Sequence, residues 1–148
     1  MDLNKIYWSF SKVFYSDIEK FEKDVIEHNE NIDLSNWNAQ KLAFNVSELQ
    51  IEYMAWITGP EDLLENESLI EEDQKVFEEE PDATEYQVEI LSKLKADNGS
   101  YFTAIEFLWK SHNQQSNKRL GDHVFFEGTD TTPIIKGGLP TYFIACGS

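Results

Sequence analysis

The chain has 148 residues, of which 41% are hydrophobic and 14% aromatic, and this composition predicts one globular domain with a substantial core. The formal net charge is −16 and the sequence pI is about 4.4, which disfavours binding to nucleic acids and to anionic membranes. Cys146 is the single cysteine, which excludes an intrachain disulfide and a four-cysteine zinc site.

The sequence shows neither the pattern of a secretory signal nor that of a membrane-spanning helix. The N-terminus has no basic start followed by an apolar run, and no stretch of the chain approaches the ~18 apolar residues of a membrane-spanning helix. We therefore expect neither secretion by that route nor insertion into a membrane. Together with the single cysteine, this favours a reducing, cytoplasmic location.

The N-terminal part predicts a strand followed by a helix. Apolar and polar side chains alternate over residues 6–10, as they do in a half-buried strand. Ser16 and Glu19 have the spacing of a capping box, and apolar residues at helical spacing follow it to about Asn31. Residues 42–53 alternate again, but the phase changes near Ser47, which predicts two strands or one bulged strand.

An acidic helix is expected after Gly59-Pro60. Leu63, Ile70 and Phe77 recur at sevenfold spacing, which would place them on one helix face, and Pro81 would end the helix. The intervening positions are nearly all acidic. The pattern therefore predicts one long or two short amphipathic helices with an outer face of carboxylates.

The C-terminal half predicts a strand, a helix and two last strands. Residues 86–94 alternate as a strand, and a second capping box, Thr103 with Glu106, begins a helix. The segments 123–128 and 141–146 are predicted strands, separated by a loop rich in Thr, Pro and Gly. The order of elements predicts a single α+β domain in which two or three helices pack against one mostly antiparallel sheet.

Negative charge is concentrated in one part of the chain. Residues 61–89 hold thirteen acidic residues and one basic residue, a net charge of −12 out of the chain's −16. Charged helix faces often serve only solubility, but they usually mix Lys with Glu to gain i,i+4 pairs. The run therefore has two interpretations, a solubilising surface or a contact surface for a basic protein. A calcium site fits less well, since the Asp-x-Asp-x-Asp-Gly spacing is missing.

Catalytic motifs are missing from the sequence. The glycines of IIKGGLP do not have the spacing of a phosphate-binding or dinucleotide-binding loop, and neither Gly-x-Ser-x-Gly nor His-Glu-x-x-His occurs. His28, His112 and His123 lie on different predicted elements, which argues against a metal site that would include Cys146 or Glu127. We expect His112 to be a packed histidine with a hydrogen-bond partner.

The stretch GDHVFFEG offers an acid and a base close together. Strand alternation would place His123 and Glu127 on the same face of the sheet, where a pocket could make them an enzymatic or ligand-binding pair. No nucleophile lies nearby, and an ordinary strand that ends at glycine explains the same residues. Trp37 lies in the polar stretch LSNWNAQ, where a tryptophan can anchor an interface.

Three stretches in residues 96–148 carry a family resemblance. ADNGSYFTAIEFLWKSHNQQ, LGDHVFFEG and GLPTYFIACGS resemble the small acidic immunity proteins of bacterial polymorphic-toxin systems. Members of that group bind a cognate toxin, often a basic nuclease, in the cytoplasm and block its active site or a nearby surface. The resemblance implies that the acidic run mimics the charge of the toxin's substrate. The N-terminal half shows no motif of such a family.

The leading hypothesis is a non-enzymatic, acidic immunity protein or inhibitor that binds a basic protein, without cofactor, metal, nucleic acid or membrane. The residues predicted to bind the partner are Glu71, Glu72, Asp73, Glu78, Glu79, Glu80 and Trp37. One alternative is a small-ligand-binding protein or enzyme with a pocket near His123 and Glu127. Another is a structural subunit of a phage or secretion assembly. The oligomeric state and the order of strands are left open.

Overall fold

The fold is built from three helices and eight strands over the part of the chain that the computed structural model describes, namely Leu3, residues 6–30 and residues 38–148. The helices are α1 (Ile18–His28), α2 (Val76–Glu79) and α3 (Ala104–Gln115). The strands are β1 (Leu42–Phe44), β2 (Glu48–Ile57), β3 (Glu67–Leu69), β4 (Tyr86–Lys95), β5 (Phe102–Thr103), β6 (Phe125–Thr129), β7 (Ile134–Lys136) and β8 (Leu139–Gly147).

A six-stranded sheet forms the centre of the molecule. Its strand order is β3-β4-β2-β8-β6, and β7 also pairs with β8. β2 and β4 pair antiparallel along their whole length, and β2 runs parallel only to β8. The remaining described pairs of this sheet are antiparallel, while β1 and β5 form a separate two-stranded sheet. The predicted α+β class with a mostly antiparallel sheet is confirmed.

Helix α3 packs against the sheet and is buried over most of its surface. The Thr103 side chain accepts a hydrogen bond from the Glu106 N–H and so begins the helix, as the sequence predicts. One face of the helix enters the core, with Ile105, Leu108 and His112 buried and Trp109 partly buried. Helix α1 contributes Phe21 and Val25 to the same core.

Two details in the N-terminal part differ from the prediction. The N-cap of α1 is Asp17 rather than Ser16, because the Asp17 carboxylate accepts from the Glu19 N–H. Residues 6–10 alternate as predicted, with Ile6, Trp8 and Phe10 buried, yet they form a single bridge to β6 instead of a strand. Residues 6–10 therefore keep the burial pattern of a strand without forming a continuous ladder with β6. The phase change near Ser47 separates β1 from β2, as expected.

Residues 63–80 were predicted to form one long or two short amphipathic helices, and the long helix is wrong. Residues 67–69 form β3 instead, paired with β4, and only a 3-10 turn at Glu71–Asp73 and the four-residue α2 are helical. Ile70 is buried and Phe77 is partly buried, so the apolar positions still contact the core, but from separate short elements. The free edge of β4 provides ladder hydrogen bonds that outweigh the helical preference of the segment.

The predicted loop before the last strand contains a strand. β7 and β8 form a hairpin whose two-residue turn is Gly137-Gly138, both with positive φ, at 59° and 81°. Left-handed conformations at both turn positions suit the right-handed twist of the strands, and glycine adopts them without strain. The Gly-Gly pair was therefore the signal for a hairpin. None of the helices in the described ranges is long and apolar enough to cross a membrane.

Candidate functional site

Six carboxylates around the 3-10 turn and α2 form what we call the acidic surface. Its members are Glu71, Glu72, Asp73, Glu78, Glu79 and Glu80. All are exposed except Asp73, which is partly buried. The structure therefore brings together the six predicted acidic residues on one short segment, which consists of a 3-10 turn and the four-residue α2 instead of a long amphipathic helix.

The segment that carries the acidic surface is fixed to the sheet. The Asp73 carboxylate accepts a hydrogen bond from the Glu89 N–H at 2.8 Å, and the Tyr86 hydroxyl donates to the Glu80 carbonyl at 2.7 Å. The Phe77 ring packs edge-on against the Tyr86 ring, with 4.8 Å between centroids. These contacts hold both ends of the segment against β4, so the exposed carboxylates project from an ordered backbone.

Counter-charges are scarce beside the acidic surface. Within the described ranges, none of its six side chains forms an ion pair with Lys, Arg or His. Several cations elsewhere are already paired: Lys110 with Asp97 and Glu106, Arg119 with Glu85, and Lys136 with Glu52. The acidic surface is therefore an uncompensated patch of negative charge.

The other predicted site residues lie elsewhere. Trp37 falls outside the described residues, so its role as an anchor stays a prediction. His123 and Glu127 are both exposed, and His123 Nε2 lies 3.7 Å from the Asp122 carboxylate. Burial and the nearby Glu127 charge raise the pKa of the Cys146 thiol to about 12, which leaves it protonated and a poor nucleophile near neutral pH.

His112 is a structural residue, as expected. Its Nδ1 accepts from the Trp8 indole N–H at 3.0 Å, and its Nε2 lies 2.7 Å from the Val13 carbonyl oxygen. These two contacts require one acceptor and one donor nitrogen, which is the neutral ring with its proton on Nε2. Burial lowers the pKa of His112 in agreement with this form. Within the described ranges, His, Cys, Asp and Glu form no group that could hold a metal ion.

A buried ionic cluster around Glu67 and Lys118 was not predicted from the sequence. The Glu67 and Lys118 side chains are both fully buried, and Lys118 Nζ lies 2.7 Å from Glu67 Oε1. The other carboxylate oxygen accepts from the Tyr53 hydroxyl at 2.6 Å and from the Ser92 hydroxyl at 3.0 Å. Glu67 thus joins β2, β3 and β4 to the chain that follows α3.

The hydrogen bonds of this cluster keep Glu67 ionised. Burial favours the neutral acid, but hydrogen bonds from the Leu64 N–H and the Lys118 ammonium outweigh burial, so the pKa of Glu67 lies below its usual value. Burial and the Glu67 charge in turn raise the pKa of Tyr53 well above its usual value. No sequence pattern links Glu67 to Lys118, since 51 positions separate them.

A wide groove is the second feature that the sequence analysis missed. It lies between α3 and the end of β4, has a volume of about 1220 Å³ and is open to solvent. Its apolar lining includes Phe14, Leu64, Leu94, Ala96 and Trp109. Phe14 is 65% exposed and Leu64 is 41% exposed, so contact area is available there. The groove is larger and more open than most small-molecule pockets, and neither His123 nor Glu127 lines it.

Side chains of α3 close the sheet edge beside this groove. The Lys110 ammonium donates to the Lys95 carbonyl, and the Glu106 carboxylate accepts from the Asp97 N–H at 2.7 Å. β3 reaches only the middle of β4, so these contacts take up polar groups that an added strand could otherwise use. The groove therefore offers side-chain contacts more than backbone pairing.

Comparison with known proteins adds no relative. No family model, no curated protein and no solved structure matches the chain.

Proposed function

We propose that this protein is a non-enzymatic binding protein that neutralises a basic protein, a toxin such as a nuclease, through its acidic surface. The observation that carries the proposal is a set of five exposed carboxylates on a segment fixed to the sheet, with no ion pair in the described ranges. A basic partner supplies the missing counter-charge, because complementary fields speed encounter and disfavour wrong partners.

The charge is more one-sided than solubility requires. Solubility is served equally well by interspersed charges of both signs, which avoid repulsion between neighbouring carboxylates. Here the carboxylates stand next to one another in sequence, at positions 71–73 and 78–80, with Lys75 between the two groups. The repulsion within such a patch disfavours the compact state, whereas a single-signed field accelerates association with a cation-rich surface.

A nuclease is a suitable target because its substrate is a polyanion. Proteins bind nucleic acid backbones through Lys and Arg, so a nuclease presents a basic surface at its active site. Ordered carboxylates can occupy such a surface as phosphates do. The resemblance of residues 96–148 to immunity proteins of toxin systems supports the same assignment.

The test compares two variants that lose the same charge. In the first variant, Glu78, Glu79 and Glu80 are each replaced by Gln. In the control variant, Glu22, Glu27 and Glu30, on and beside α1, are replaced by Gln. Each tagged protein is used to capture partners from the lysate of its own organism at low and at moderate salt, with identification by mass spectrometry.

We expect wild type and the control variant to capture one basic protein, which dissociates as salt rises and which is toxic when expressed alone. The first variant should associate about tenfold more slowly at low salt. Co-expression of wild type should relieve the toxicity. Equal capture by both variants would show that the acidic surface does not bind the partner, even if a partner is found.

Two alternatives make different predictions. An enzyme or small-ligand protein centred on His123 and Glu127 requires a ligand whose binding protects these side chains, and an NMR titration of the His123 ring would detect it. A structural subunit of a phage or secretion assembly requires large homo-oligomers. Neither alternative needs the uncompensated charge of residues 71–80, which is why we prefer the inhibitor.

A further inference from the structure

The strand β7 is an open edge of the large sheet. It pairs with β8 alone among the strands of the described ranges, with Ile135 opposite Pro140. Pro140 has no N–H, so the ladder bonds run through the flanking pairs of this antiparallel hairpin. The N–H and C=O of Ile135 therefore point away from β8, towards a side of β7 on which no strand of the described ranges lies.

The side chains of this edge are apolar and exposed. Ile134 is 60% exposed and Ile135 is 64% exposed, and as consecutive strand residues they lie on opposite faces of the sheet. Natural edge strands are often protected by a free lysine. Here the Lys136 ammonium lies 2.6 Å from the Glu52 carboxylate of β2. Its charge is therefore paired and does not protect the edge.

Charge indicates which occupant suits the edge. Residues 131–148 contain no Asp or Glu, although the chain has 28 of them, and Lys136 is their one charged side chain. A basic partner gains little electrostatic energy here, because the segment itself has no carboxylate and the adjacent Glu52 is already paired with Lys136. A second copy of this chain, with its own net charge of −16, meets less repulsion here than at the acidic surface and presents the same apolar edge.

We propose that β7 is a self-association edge at which two copies pair their β7 strands antiparallel about a two-fold axis. Ile135 of each copy then donates its N–H to the Ile135 carbonyl of the other, which is the self-complementary contact that such symmetry requires. The two Ile135 side chains meet on one face of the sheet. On the other face, each Ile134 packs against the alkyl stem of Lys136 in the second copy.

The salt dependence of this association has a characteristic sign. Two chains of like charge repel at low ionic strength, and the screening length falls from about 30 Å at 0.01 M salt to about 3 Å at 1 M. Dimerisation should therefore strengthen as salt rises. Capture of a basic partner by the acidic surface should weaken over the same range, so the two proposals fail independently of each other.

The test is sedimentation equilibrium of the whole protein over a range of concentrations, in buffers of about 0.01 M and about 1 M salt. Wild type should show a monomer–dimer equilibrium that shifts to dimer at high salt. Ile135→Lys, which places a free charge on the edge, should raise the dissociation constant at least about tenfold. Leu42→Lys is the control, because Leu42 is an exposed strand residue outside the large sheet and its replacement changes the net charge equally.

The outcomes separate clearly. Strengthening with salt, with loss in Ile135→Lys and retention in Leu42→Lys, supports the proposal. A monomer at every concentration and salt overturns it, as does a dimer that Leu42→Lys weakens equally or that dissociates as salt rises. Should Ile135→Lys fail to fold, Ile134→Thr with Ile135→Thr keeps residues that favour strands while removing apolar area, and the same criteria apply.

Discussion

Glu67 and the acidic surface occupy the same acidic stretch of chain, yet their environments are opposite. The Glu67 side chain is fully buried, with an ion pair to Lys118 and hydrogen bonds from Tyr53 and Ser92. Glu71, four residues later, is exposed and has no ion pair within the described ranges. Strand pairing makes the difference: β3 aligns Glu67 with the buried Ser92, and the chain leaves the sheet soon after Leu69.

Residue type alone therefore does not give a carboxylate its role. A buried carboxylate needs its partners, and removing one leaves an uncompensated charge in the core. An exposed carboxylate without a partner contributes little to folding and remains available for binding. Replacing Glu67 or its partners should therefore lower the stability of the fold, whereas replacing carboxylates of the acidic surface should weaken partner binding and leave stability nearly unchanged.

The largest effect is expected for Lys118→Met. This change leaves the Glu67 carboxylate buried without its cation, which should lower the free energy of unfolding by about 3–5 kcal/mol. Urea denaturation measures the loss. The matched control is Lys93→Met, at an exposed position, for which we expect a change within about 0.5 kcal/mol. Equal losses in both variants would mean that the buried pair has no special role.

A second change should recover part of that loss. In Glu67→Gln with Lys118→Met, neither side chain carries a buried charge, and the amide oxygen introduced at position 67 can still accept from Tyr53 and Ser92. We expect the double variant to be more stable than the sum of the single effects predicts, by about 0.5–3 kcal/mol. A double-mutant cycle from denaturation curves gives this coupling energy, and strict additivity would contradict a direct interaction between the two side chains.

Acid should lower the stability of the wild-type protein more than that of the Glu67→Gln variant. Burial opposes the ionisation of Glu67, but its hydrogen bonds outweigh burial and hold the pKa below its usual value in the folded protein. The stabilising contribution of Glu67 is therefore complete above the unfolded-state pKa of about 4.3 and is lost as pH falls through the lower folded-state pKa. The free energy of unfolding should fall more steeply in wild type below about pH 4.3, and parallel curves for the two proteins would disprove this.

The smallest effect on stability is expected at the acidic surface. Replacement of Glu78, Glu79 and Glu80 by Gln should change the free energy of unfolding by no more than about 0.5 kcal/mol, with any change towards greater stability as repulsion is relieved. Denaturation of the variant beside wild type checks this. A large loss of stability would show that these carboxylates support the fold and would weaken their assignment to partner binding.

Much of the fold was predictable because local patterns agreed with tertiary structure. The alternation in residues 86–94, the N-cap at Thr103 and the phase change near Ser47 each correspond to an observed element. The site was predictable in part: five of the six acidic residues are exposed on one segment, but instead of one long or two short amphipathic helices the chain forms β3, a 3-10 turn and the four-residue α2. Residues 63–80 do have apolar positions at helical spacing, but residues 67–69 form hydrogen bonds with the open edge of β4 instead of helical hydrogen bonds within the segment.

The fold class, the strong negative charge and its concentration in residues 61–89 could all be read from the sequence, because composition, periodicity and capping need no knowledge of long-range contacts. The burial of one particular carboxylate, the place of the groove and the strand edge that stays open emerge only in the folded chain. These features depend on residues far apart in the chain, such as Glu67 and Lys118, whose proximity is fixed by strand order and helix packing rather than by local pattern.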